Sequence, residues 1–114
     1  MRGGRSYLDY LEDILEAIEK AEQFISGMSF QEFTEDDKTV YAVVRALEIV
    51  GEAAKKIPDD VRERHADLPW REMSGMRDKL IHDYFGVDEE VVWKTVQEDL
   101  QSVRGQIERM ISEM

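Results

Sequence analysis

Arg77, Asp78, Lys79, His82, Asp83 and Tyr84 fall within eight residues bounded by Gly75 and Gly86. A guanidinium, an imidazole and a phenol come this close together nowhere else in the chain. Arginine keeps its charge at any cellular pH and presents a planar fork of donors that matches phosphate oxygens in pairs. Histidine titrates near neutrality, so its imidazole can carry a proton to or from a ribose 2′-hydroxyl or a leaving 5′-oxygen. Together Arg77 and His82 suit metal-independent RNA cleavage by transesterification. The 2′-hydroxyl would be the nucleophile, His82 the acid or base, and Arg77 the group that stabilises charge in the transition state. The competing reading is an amphipathic helix with Arg77, Asp78, Lys79 and Asp83 as surface charges and Tyr84 and Phe85 at the core edge. Spacing alone leaves both open.

The pattern around these residues is helical. Ser6 with Asp9 three residues later has the form of a capping box, and Tyr7, Leu11, Ile14, Leu15, Ile18, Ala21 and Ile25 recur at helical spacing, which predicts a helix over 6–26 stopped by Gly27. Thr34–Asp37 repeats the signature and opens a second helix, 35–56, whose apolar positions cover more than one stripe, as expected of a central or dimer-facing helix. Gly51, Ala53 and Ala54 would let another backbone approach it closely. A short helix from Pro58 to Arg64, a connection over 65–69 and a helical turn at 70–73 follow. A helix is predicted from Met76 to Phe85, ending at Gly86, and a last one opens at Asp88 with a stripe of Val92, Val96, Leu100, Val103, Ile107 and Ile111. With no alternating strand pattern, the expectation is an all-α, compact up-and-down bundle of four principal helices plus one or two short ones. On an ideal helix Arg77 and His82 stand roughly 140° apart, while Asp78 lies one turn below His82 and could orient it. A symmetric pair of such helices could bring two histidines into one cleft.

Length and composition bound the rest. The 114 residues fit one domain, 1–114. No apolar run approaches the roughly 18 residues that cross a bilayer, and the N-terminus is unlike a signal peptide, so a cytoplasmic protein without membrane attachment is expected. There is no cysteine, hence no thiolate chemistry. The net charge of −11 argues against broad nucleic-acid binding, but residues 53–85 carry seven bases and seven acids, so a local phosphate site fits there.

Other candidates have blander readings beside them. His65 sits in a polar connection beside Asp67. Glu48 and Glu52, one turn apart, are either a carboxylate pair serving the site or a solvated face paired with Arg45. Trp70 and Trp93 suit core or interface anchors better than base-stacking platforms. The Glu-x-x-His pairs of di-metal bundles are missing, since Arg62 and Lys79 stand three residues before the two histidines.

Arg77-x4-His82-x-Tyr84 resembles the Rx4HxY signature of HEPN domains of the HepT-like family. Arg45–Ala53 is similar to the family's second-helix segment, and Trp70–Asp78 followed by His82–Asp88 to its motif region, so the resemblance spans nearly the whole chain. It implies an all-α homodimer with the motifs lining a shared cleft, acting on RNA as the ribonuclease toxin of a HEPN/MNT toxin-antitoxin pair. By position, Arg77 and His82 would be catalytic and Asp78 supporting. Tyr84 would be the hydroxyl to which an MNT-type nucleotidyltransferase antitoxin attaches AMP from ATP; no other cofactor and no metal is implied. The alternative, from another class, is a non-catalytic helical partner or nucleotide-presenting subunit of a minimal nucleotidyltransferase.

Overall fold

Ser6 opens the first helix by giving its backbone N–H to the Asp9 carboxylate at 3.1 Å, and α1 then runs Tyr7–Ile25 before Gly27 turns the chain at φ +81°. The computed structural model describes residues 6–82 and 86–114, with backbone alone for Ile81 and His82. Leu11, Ile14, Ala17, Ile18, Ala21 and Ile25 form the buried stripe of α1.

A short helix that the periodicity did not reveal follows, α2 (Phe30–Thr34). Its signal is a capping box: Ser29 N–H donates to Glu32 at 2.8 Å and Glu32 N–H returns to the Ser29 hydroxyl at 3.1 Å. It buries Phe33 completely, against Trp93 at a ring separation of 5.3 Å.

Asp36 caps α3 (Asp37–Lys55) by accepting from Thr39 N–H at 3.1 Å. This is the central helix, packed on α1 along one side and on α5 and α6 along another. Gly51 marks a close approach of another backbone. A methyl group built there would lie 3.1 Å from the Met73 carbonyl oxygen, closer than a side chain normally sits.

Pro58 precedes α4 (Asp59–Arg64) as its cap. After the connection come α5 (Trp70–Ser74) and α6 (Met76–Leu80). Here the chain departs from the expected helix over 76–85. The helix stops at Leu80, and Ile81–His82 (β1) pairs antiparallel with Gly86–Val87 (β2), joining Ile81 to Val87 and His82 to Gly86. The Leu80 carbonyl, which a continuing helix would offer to the residue four places on, accepts instead from Asp88 N–H at 2.9 Å. A helix of a turn and a half has few internal bonds to set against its nucleation cost, so pairing across the hairpin prevails. Gly86 takes φ +127°, outside the helix-terminating conformation expected of it and strained for any residue with a side chain.

Asp88 caps α7 (Glu89–Lys94) through Val91 N–H at 3.2 Å. A π-helical turn, Thr95–Asp99, follows, and then α8 (Leu100–Ser112). Thr95 is buried, and its hydroxyl donates to the Val91 carbonyl at 2.8 Å, a back-bond that loosens the normal helical ladder at the turn. The architecture is an all-α bundle of three long helical stretches and several short ones, carrying one two-stranded hairpin among the described residues. Among them no helix is long and apolar enough to cross a membrane.

Candidate active site

Arg77 projects from α6 and is 68% exposed, and its Nε lies 3.4 Å from Oε2 of Glu48 on α3. The other oxygen of that carboxylate, Oε1, lies 3.8 Å from Arg45 Nη1, one turn earlier on the same helix. Glu48 is only 24% exposed, so a largely covered carboxylate holds two outward-facing arginines. The approach depends on Gly51, one turn beyond Glu48, because its missing side chain lets the Met73–Ser74 backbone settle onto α3 and carries α6 with it.

A second tie holds α6 from the opposite side. Lys79 Nζ is 3.6 Å from Asp99 at the end of the π turn. Beside this pair a groove of about 450 Å³ runs between α5–α6 and α8, floored by Met73, Met76, Leu100 and Val103. Another, of about 490 Å³, lies between α1 and α3 over Ala17, Ala42, Ala46 and Ile49, with Arg45 on its rim.

The expected site residues are distributed as follows. Arg77 and the exposed Asp78 stand on α6, whereas His82 stands on β1, its backbone paired with Gly86. The three therefore do not share one helix, and neither the 140° separation nor the placement of Asp78 one turn below His82 describes this geometry. Tyr84 and Asp83 lie outside the described residues, as does the side chain of His82. Glu48 and Glu52 part company: Glu48 turns to Arg77, while Glu52 pairs with Lys55 at 3.8 Å. Glu48 is the group that sequence reasoning left undecided, and only the Gly51 contact, bringing α6 against α3, gives it a partner from the motif.

The remaining candidates are structural. Trp70 is buried and donates its Nε1–H to the His65 carbonyl at 2.9 Å, and Trp93 meets Phe30 edge-on and Phe33 at a tilt. Several bases of the neutral segment are committed within the fold: Arg62 to the carbonyls of Ala54 and Ile57, Arg64 to Asp60 at 4.0 Å, and Lys79 to Asp99. Among the described residues no group of three or more acidic or imidazole side chains is arranged to hold a metal ion.

What this arrangement offers is an arginine fork at the surface, beside a carboxylate of α3 and five residues upstream of a histidine in the chain. The comparisons with known proteins point to ribonucleases. Residues 14–110 match the model of the family described as "Ribonuclease HepT-like". The chain is 58% identical over 106 residues to "Probable ribonuclease HepT" of Thermococcus cleftensis, covering 93% of this chain and 96% of that protein. It is 44% identical over 105 residues to "Putative RNase MJ1216" of Methanocaldococcus jannaschii, covering 92% and 87%. No solved structure matches it significantly. With a family match that takes in the whole of α3, α6 and the hairpin, and a relative covered almost end to end, the chain belongs to the HepT-like ribonuclease family.

Proposed function

We propose that this protein is a metal-independent endoribonuclease, the toxin of a HEPN/MNT pair, in which Arg77 and His82 are the catalytic residues and Asp78 supports them. The observation that carries the reading is the Arg77 guanidinium, exposed to solvent yet fixed at Nε by Glu48. With most of the side chain exposed, a phosphate could meet the guanidinium in a paired contact. His82 removes the proton of a ribose 2′-hydroxyl, and the 2′-oxygen attacks the adjacent phosphorus. The bond to the 5′-oxygen breaks, a proton passes to that oxygen, and a 2′,3′-cyclic phosphate remains. Arg77 compensates the charge that gathers on the phosphoryl oxygens. A homodimer with the two motifs facing each other supplies one histidine as base and the other as acid.

Silencing follows from the phenol of Tyr84. An MNT-type nucleotidyltransferase antitoxin delivers the α-phosphorus of ATP to the Tyr84 oxygen, pyrophosphate leaves and the phenolic proton is lost. The bulky anionic adduct then fills the phosphate site and repels RNA. This reading places the pair in the cytoplasm, with RNA as substrate.

The purified protein incubated with RNA in the presence of EDTA cuts it, and Arg77→Ala or His82→Ala lowers the rate by on the order of a hundredfold or more. Equal cleavage by all three would sink the catalytic reading. Absent cleavage with intact binding to the nucleotidyltransferase would select the non-catalytic helical partner instead. With the antitoxin and ATP, the intact mass rises by whole AMP units, and Tyr84→Phe abolishes the gain.

A further inference from the structure

We infer that Glu48 is a positioning residue for Arg77, setting the arginine fork at the angle the phosphate needs, and that the Arg45–Glu48–Arg77 trio is the local cationic site of this acidic chain. The inference rests on the RNase reading above. Its ground is the asymmetry of the contact. Glu48 is 24% exposed and stands on the central helix, whereas Arg77 is 68% exposed and stands on a helix of five residues.

An ion pair this open to solvent contributes little to folding, because water and salt screen it. As a stability device it is therefore poorly placed. As an anchor it is well placed: the carboxylate lies 3.4 Å from Arg77 Nε, the nitrogen nearest the chain, while the arginine side chain stays 68% exposed. Arg45 Nη1 lies 3.8 Å from the second oxygen and offsets its charge. Two guanidiniums and one carboxylate make the trio net positive. Without Glu48, the long side chain of Arg77 would search its rotamers from a helix too short to restrain it, and a misplaced catalytic group loses much of its effect.

A carboxylate that merely sat near the site would behave in the opposite way. It would repel RNA, so deleting it would tighten binding and leave or raise the rate. The two roles are thus separated by kcat against KM. Glu52→Ala is the matched control, since it removes the same charge one turn away from a group paired with Lys55, not Arg77.

The experiment is steady-state cleavage of a short RNA in EDTA by the full-length protein and its Glu48→Ala, Glu48→Gln and Glu52→Ala variants, each checked by thermal melting. Glu48→Ala is expected to lower kcat by on the order of ten- to a hundredfold with KM unchanged or reduced. Glu48→Gln, which keeps an acceptor oxygen, recovers part of the loss, and Glu52→Ala matches the wild type. Should Glu48→Ala fail to fold, the Glu48→Gln and Glu52→Ala pair decides alone: a kcat for Glu48→Gln equal to that of Glu52→Ala overturns the assignment. Wild-type kcat in Glu48→Ala, with Arg77→Ala inactive, overturns the positioning role and leaves the RNase reading standing. A wild type that cuts nothing overturns both.

Discussion

Arg62 and Arg77 carry the same side chain in the same third of the chain and are used in opposite ways. Arg62 turns inward: its Nη2 donates to the Ala54 carbonyl at 2.8 Å, which also accepts from Ile57 N–H, and its Nε to the Ile57 carbonyl at 3.1 Å, so it ties the end of α3 to the segment that follows. Arg77 is exposed, with Glu48 3.4 Å from its Nε. Arg62→Ala is therefore expected to lower unfolding free energy by about 1–3 kcal/mol, read from urea denaturation, while the kcat for RNA stays at the wild-type value. A loss of cleavage with stability intact would mean that Arg62 meets the substrate. The sequence made the chemical types plain, since Arg77, His82 and Tyr84 stand out by composition alone. It did not distinguish a capping arginine from a phosphate-facing one, nor join Glu48 to Arg77, because those partners are chosen by how close α6 comes to α3, which turns on the absence of a side chain at Gly51.

Helix starts were the most legible elements, because their chemistry is local. Ser6 and Asp88 act as caps where their spacing suggested an opening, whereas the cap of α3 is Asp36, and Thr34, which the spacing favoured, ends α2 instead. Asp36 provides a test of the α3 cap. The Thr39 backbone N–H, and then the Thr39 hydroxyl, hold its carboxyl below the ordinary value of 3.8. A carboxyl whose folded pKa is depressed stabilises the fold above its unfolded value, and that contribution disappears as pH falls through the folded value. Asp36→Ala should therefore melt below the wild type at neutral pH, with the gap closing as the pH drops below about 3.8 in circular dichroism melts. A gap that persists in acid would show that the cap does not depend on the charge. Helix ends were less legible. The 76–85 segment has helical composition, yet the helix stops at Leu80 and Ile81–His82 pairs with Gly86–Val87, since the bond from Asp88 to Leu80 is set by the return of the chain and not by local propensity. The π turn was hidden for a different reason: Val92, Val96, Leu100 and Val103 are spaced as they would be on an unbroken helix.

At the scale of the molecule the helical periodicity was enough to specify an all-α bundle, because each long helix has to bury its stripe against another. The charge of −11, doubled to −22 in the proposed dimer, offers RNA no general positive field, which is why the proposed recognition is assigned to the arginine trio. The π turn at Thr95–Asp99 also bears on the whole bundle, through insertions and deletions. Removing one residue from an ordinary helix turns everything beyond it by about 100°, which swings a buried stripe away from its partners. A π turn is a helical turn holding one residue too many, so losing a single residue there would restore the regular ladder and leave the stripes on either side in phase. This otherwise length-intolerant helix thus contains one place where the chain can shorten by a residue and still present Val103 and Ile107 to the same core.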